Sequence, residues 1–157
     1  MKIMWGISGV ILGAVLSTGI CFKRFKRKIK NVSEMSDKHF EMFLLMNRWL
    51  QNEHKEKKIA DYLKEKGIHN IIIYGVGDIG KNLYQQLKSE EFEIKYLVDQ
   101  NKNQILDGKE IKGLNDKMDP ADAVVVTAIY YFEELEEELK IRFGCPVISL
   151  ADIIYKM

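Results

Sequence analysis

The sequence predicts an α/β protein: a small parallel-sheet, Rossmann-like domain over residues 67–157, preceded by an N-terminal transmembrane helix (3–22) and a basic juxtamembrane and helical connector (23–66). Three observations lead there. Residues 3–22 carry no charge, and the chain after Gly67 alternates strand-like and helix-like segments. The stretch GVGDIG at 75–80 stands between a β-branched run and an amphipathic helix, where a strand-to-helix turn belongs.

The charge-free run is the first element. As a helix rising about 1.5 Å per residue, twenty residues span roughly 30 Å, the thickness of the hydrocarbon layer. Seven basic residues and no acids fall within 1–30, six of the seven in KRFKRKIK directly after the run. Basic residues flanking a span stay on the cytoplasmic side, so a single-pass protein of the cell membrane is expected, with its C-terminal domain in the cytoplasm. A cleaved signal peptide carries its basic residues before the apolar run, the opposite order. Ile20 is too bulky for a lipoprotein cleavage site before Cys21. Gly9, Gly13 and Ser17 form a small-residue face on which such helices approach closely, so a homodimer is one expected state.

The remainder of the chain holds 17 basic against 23 acidic residues. An acidic body argues against nucleic acid as a partner, because phosphate backbones are held by basic surface. Cys21 and Cys145 imply no disulfide framework, and His39, His54 and His69 have no ligand spacing, so no metal is expected.

In the connector, residues 36–53 predict a helix capped by Ser36 or Asp37. Its apolar residues cover more than one stripe and call for burial on two sides, against the following domain, a second copy or a membrane surface. A second helix, about 55–66, ends at Gly67. Then NIIIY (70–74) is a strand covered on both faces, and DIGKNLYQQLKSEE is a helix with Ile79, Leu83 and Leu87 along one side. Strands follow at 94–98, ending at Asp99, briefly at 109–111, and at 123–127. FEELEEELKIRF is a helix and 146–150 the last strand, five strands at most.

The glycine loop admits two phosphate-binding patterns. GxxxxGK fits a P-loop except that Asn82 stands where a Mg²⁺-binding hydroxyl is required. Gly75, Gly77 and Gly80 fit GxGxxG in its proper strand–turn–helix context: a tight turn, a close approach of backbone to pyrophosphate, and close packing of helix on strand. Amides at Asp78 and Ile79 open the helix and attract phosphate, although the Asp78 carboxylate opposes it. Asp99 ends the second strand where an acid binds a ribose diol. Thr127, with Tyr130 and Tyr131, follows the third main strand at the end where open α/β sheets bind ligands. The alternative is that the glycines only make a tight turn and those tyrosines only cover the sheet.

No catalytic set stands out. The Tyr-x-x-x-Lys spacings Tyr62/Lys66 and Tyr84/Lys88 lie before the loop and on the helix leaving it, not well downstream, and read as helical surface. Glu133, Glu134, Glu136, Glu137 and Glu138 read as a solvated helix face.

From Lys58 to Tyr155, the loop Gly75–Gly80, Asp99, the DGKEIKG stretch at 107–113 and the VVVTA strand together resemble small Rossmann modules of bacterial surface-polysaccharide and nucleotide-sugar enzymes, the nucleoside-diphosphate-sugar epimerase-like group. The resemblance implies a membrane-anchored, non-catalytic module that binds a nucleotide or nucleotide-sugar beside a partner glycan enzyme. The catalytic domain of the full enzymes has no counterpart in the sequence. An NAD-dependent oxidoreductase or epimerase-like protein, and a ligand-sensing domain of a transporter, are the alternatives.

Overall fold

The computed structural model describes the backbone of residues 2–102 and 104–157, and the side chains of residues 25–102 and 104–157. The chain divides into two compact units, Met1–Leu44 and Leu45–Met157.

The first unit is the greater part of a helix, α1 (Lys2–His54), whose last turns belong to the second unit. A separate connector helix starting at Ser36 or Asp37 is not formed. The segment from Lys23 to Met35 contains neither Gly nor Pro, so nothing interrupts the hydrogen-bond ladder, and the two supposed capping residues sit inside the helix. The expected membrane span 3–22 has side chains outside the described residues. Among the described residues, no helix is long and apolar enough to cross a membrane.

In the second unit α1 ends at His54; beyond it Glu56 takes a left-handed φ of 57°, and the Lys57 amide returns to Asn52 O at 3.0 Å. Helix α2 (Ile59–Glu65) stops at Gly67 (φ 74°), where the Ile68 amide reaches Leu63 O at 3.0 Å. Among the described residues six strands follow: β1 (Asn70–Tyr74), β2 (Glu93–Val98), β3 (Ile105–Leu106), β4 (Lys109–Lys112), β5 (Ala123–Val126) and β6 (Val147–Ser149). They lie in one sheet in the order β3-β4-β2-β1-β5-β6. All neighbours are parallel except β3 and β4. This is one strand more than expected. The extra strand β3 is joined to β4 by Asp107-Gly108, whose φ values of 50° and 80° make the tight hairpin that Asp-Gly favours.

Helix α3 (Asp78–Ser89) links β1 to β2, and α4 (Phe132–Phe143) links β5 to β6. A helix not foreseen, α5 (Leu150–Lys156), closes the chain. The two faces of β1 feed different cores. Ile71 and Ile73 pack with Leu83 and Leu87 of α3, Ile59 and Leu63 of α2, Ile153 of α5, and Leu45 and Trp49 of α1. Ile72 and Tyr74 pack with Val98, Val124, Val126 and Leu139 of α4. Helices on both faces explain why the strands are apolar without alternation. The α1 end is part of this body: Trp49 Nε1 donates to Gln86 Oε1 at 2.8 Å, and buried Asn52 donates to Ile154 O at 2.7 Å.

Candidate functional site

With β1 central, the chain runs outward through β2 to β4 on one side and through β5 to β6 on the other. Between β1 and β5 the direction of winding reverses, the place where open α/β sheets form a binding crevice beyond the strand ends. The predicted loop stands there.

The three glycines of that loop have three different reasons to be glycine. Gly75 holds a φ of 95°, and a Cβ there would meet Thr127 Oγ1 at 2.8 Å. At Gly80 a Cβ would collide with the Gly75 carbonyl oxygen and lie 3.1 Å from Thr127 Oγ1. The start of α3 is thus pressed onto the end of β1. Gly77 differs: its φ of −71° and ψ of −167° are open to any residue, and nothing lies within 4 Å of the Cβ position. The fold itself does not require glycine at 77.

Gly77 is exposed and caps α3 without a side-chain hydrogen bond. Gly77 itself therefore offers no side chain to the first amides, those of Asp78, Ile79 and Gly80, which intrahelical bonding leaves over. Asp78 is exposed in that first turn, where the helix dipole favours a carboxylate. Ile79 is half-buried and packs on the core.

Asp99 and Thr127 hold the loop from either side. Asp99 Oδ2 accepts the Val76 amide at 2.6 Å, and Oδ1 accepts the Asn101 amide at 2.9 Å. Each carboxylate oxygen retains acceptor capacity for a further donor such as a sugar hydroxyl. Thr127 is buried, and its hydroxyl donates to Gly75 O at 2.5 Å, with Tyr74 O at 3.3 Å. What this side chain touches is the loop backbone.

Beside the loop lies a cavity of about 430 Å³ bordered by Tyr74, Gly75, Asp99, Gln100, Tyr131 and Glu134 among others. Among the described residues, neither lysine nor arginine borders it. Burial pushes the Tyr74 phenol above its ordinary range; the charges of Glu138 and Asp99 act the same way, against a hydrogen bond with Gln100. At neutral pH Tyr74 is therefore an uncharged hydrogen-bonding group. The wall suits a neutral, hydroxyl-rich or aromatic moiety, and phosphate charge is better placed at the amides of α3.

The structure thus brings Gly75 and Asp99 to the cavity wall, sets Gly77, Asp78, Ile79 and Gly80 in the adjoining helix start, and places Thr127 beneath. Sequence reasoning missed Tyr74, Gln100 and Glu134. Tyr74 is the last residue before the first glycine, and its position was the available signal. Glu134 is exposed, as expected of a solvated face, yet it also borders the cavity.

Other sequence candidates fall elsewhere. Asn82, the residue at odds with a P-loop, borders a separate groove with Met46 and Trp49. Tyr84 is not helical surface: it is 4% exposed and packs in the core, while Lys88 pairs with Asp107 at 2.9 Å. Tyr62 and Lys66 stack with the ammonium 5.7 Å from the ring centre. Burial raises the pKa of the Cys145 thiol, as does the charge of Asp122. Among the described residues, no group of His, Cys, Asp and Glu is placed to hold a metal ion.

The family described as C2185-like, N-terminal, matches residues 67–146. That span contains the glycine loop, Asp99 and Thr127, and ends just before β6. Neither the curated proteins nor the solved structures include a match.

Proposed function

The chain belongs to the C2185-like, N-terminal family, and from that premise we propose that it is a non-catalytic binding module for a nucleotide or nucleotide-sugar, held at the crevice between β1 and β5. The observation that carries the reading is Gly77. A tight turn with no ligand accounts for Gly75 and Gly80, which are sterically required, but not for a glycine in extended backbone with open space before it. Backbone approach to a phosphate gives that position a purpose.

In this reading the phosphate lies over Gly77 against the amides of Asp78 and Ile79, and Asp99 takes the ribose diol. The base or sugar enters the cavity between Tyr74 and Tyr131. Residues 3–22 tether the module to the cell membrane, with residues 45–157 in the cytoplasm. Surface-glycan assembly beside a partner enzyme is the setting supported by the sequence resemblance. The bordering groups are hydrogen-bonding and carboxylate groups rather than a nucleophile with its base, which favours binding over turnover.

The test is a thermal-shift and titration series on the full chain with UDP, UDP-sugars, NAD and NADP. Stabilisation by UDP or a UDP-sugar, weakened by Gly77→Ala, supports the proposal. Stabilisation by NAD alone moves the reading to an oxidoreductase-like or ligand-sensing protein. No response to any of them, or a response that Gly77→Ala leaves intact, overturns it.

A further inference from the structure

Along α1 the side chains recur at alternating steps of four and three: Phe25, Ile29, Val32, Ser36, His39 and Phe43. The same spacing continues in the sequence to Met46 and Leu50. Within the first unit the apolar members are open to solvent, Phe25 at 60%, Ile29 at 54%, Val32 at 57% and Phe43 at 64%. Phe25, Ile29 and Val32 border a groove of about 570 Å³ that runs from Phe25 to Asp37. Leu45 and Trp49, which enter the core of the second unit, fall outside the series, while Met46, within it, is partly buried against that core. The series is apolar except at Ser36 and His39, and a 3.5-residue repeat is the spacing of a coiled-coil seam, because it follows one line along a helix only when two helices wind around each other.

We propose that this seam pairs with the same seam of a second copy of the chain, in parallel. A stripe meeting its own copy matches apolar with apolar layers and sets Ser36 and His39 against polar partners. The flanking positions agree. In a parallel pair Lys28 stands opposite Ser33, Met35 opposite Phe40, and Met42 opposite Asn47, so no like charges face each other across the seam. Lys26 and Lys28 flank the seam, and charged residues also occupy the back of the helix, where Lys30 and Glu34 pair at 3.6 Å. The parallel sense rests on the membrane tether proposed above, since both copies then enter from the same end; the pairing itself does not depend on the nucleotide site.

Disulfide scanning in cells producing the full chain tests this, in a Cys21→Ser, Cys145→Ser background. Ile29→Cys, Val32→Cys, Ser36→Cys and Phe43→Cys are expected to crosslink to the same residue of a second copy several-fold more than Arg27→Cys, Lys30→Cys, Glu34→Cys and Glu41→Cys. Adding Val32→Asp to the Ser36→Cys chain is expected to abolish the crosslink without changing the melting of the domain. Crosslinks confined to Ser36→Cys indicate an antiparallel pair and overturn the parallel arrangement. Equal crosslinking at seam and back positions, or none, overturns the seam and assigns this face to lipid or another protein.

Discussion

The carboxylate of Asp99, at the end of β2, receives the amide of Val76 at 2.6 Å, so the acid proposed to take a ligand also clasps the glycine loop. A charged hydrogen bond of this kind contributes about 1.5–3 kcal/mol. Asp99→Ala is expected to lower the urea midpoint accordingly. Asp99→Asn retains one acceptor oxygen and is expected to unfold closer to the parent while losing about tenfold in nucleotide affinity, roughly 1.4 kcal/mol. Paired urea melts and titrations separate the two roles.

Gly77→Ala and Gly80→Ala form a matched pair. At Gly80 the added methyl meets the Gly75 carbonyl, and a loss of about 1–3 kcal/mol is expected from the forced shift of α3. At Gly77 the methyl meets open space, so stability is expected to change by no more than about 0.5 kcal/mol while ligand binding falls. Chemical denaturation of both variants, with and without nucleotide, checks this.

Thr127 acts through Gly75. Thr127→Val keeps the shape but removes the hydroxyl that donates to Gly75 O at 2.5 Å, at an expected cost of about 1–3 kcal/mol. Thr127→Ser keeps the donor and is expected to retain most of that stability in the same urea assay.

At the opposite end of the sheet, Asp122 Oδ2 accepts the amides of His69 and Asn70 at 2.8 and 3.0 Å. The His69 amide, then that of Asn70, holds this carboxyl below the ordinary carboxylate range. Its folded value is depressed, so its contribution is complete above the unfolded-chain value and is lost as pH falls through the folded one. Asp122→Asn is expected to lower stability at neutral pH and to flatten the acid limb below about pH 4. Melting temperatures across the acid range test the sign.

Trp49 is 6% exposed and bonded to Gln86, so Trp49→Ala is expected to cost about 3–5 kcal/mol in a urea titration of the full chain. An unchanged midpoint would show that the end of α1 is dispensable, although the family match begins only at Gly67.

Most of the central fold was legible because its signals are local. NIIIY and AVVV are β-branched runs, FEELEEELKIRF has helical composition throughout, and Gly67 stops a helix by taking left-handed backbone. The two-residue strand β3 carries too few residues for any periodicity and exists through its pairing with β4. The cavity wall was legible only in part, since Tyr74, Gln100 and Glu134 lie far apart in the chain and meet only where β1, β2 and α4 converge.

By itself the sequence determined the main strands and helices from β1 to β6 and the turns between them, but not the continuity of α1, nor β3 or α5, because backbone freedom and side-chain periodicity act over a few residues. It also determined that a glycine loop would join β1 to α3 with Asp99 at the end of β2. Only the tertiary structure decided why each glycine is there: two answer to contacts with Thr127 and Gly75, and one to open space. Those reasons depend on atoms about fifty residues apart being packed within hydrogen-bond distance, which no short window of sequence contains.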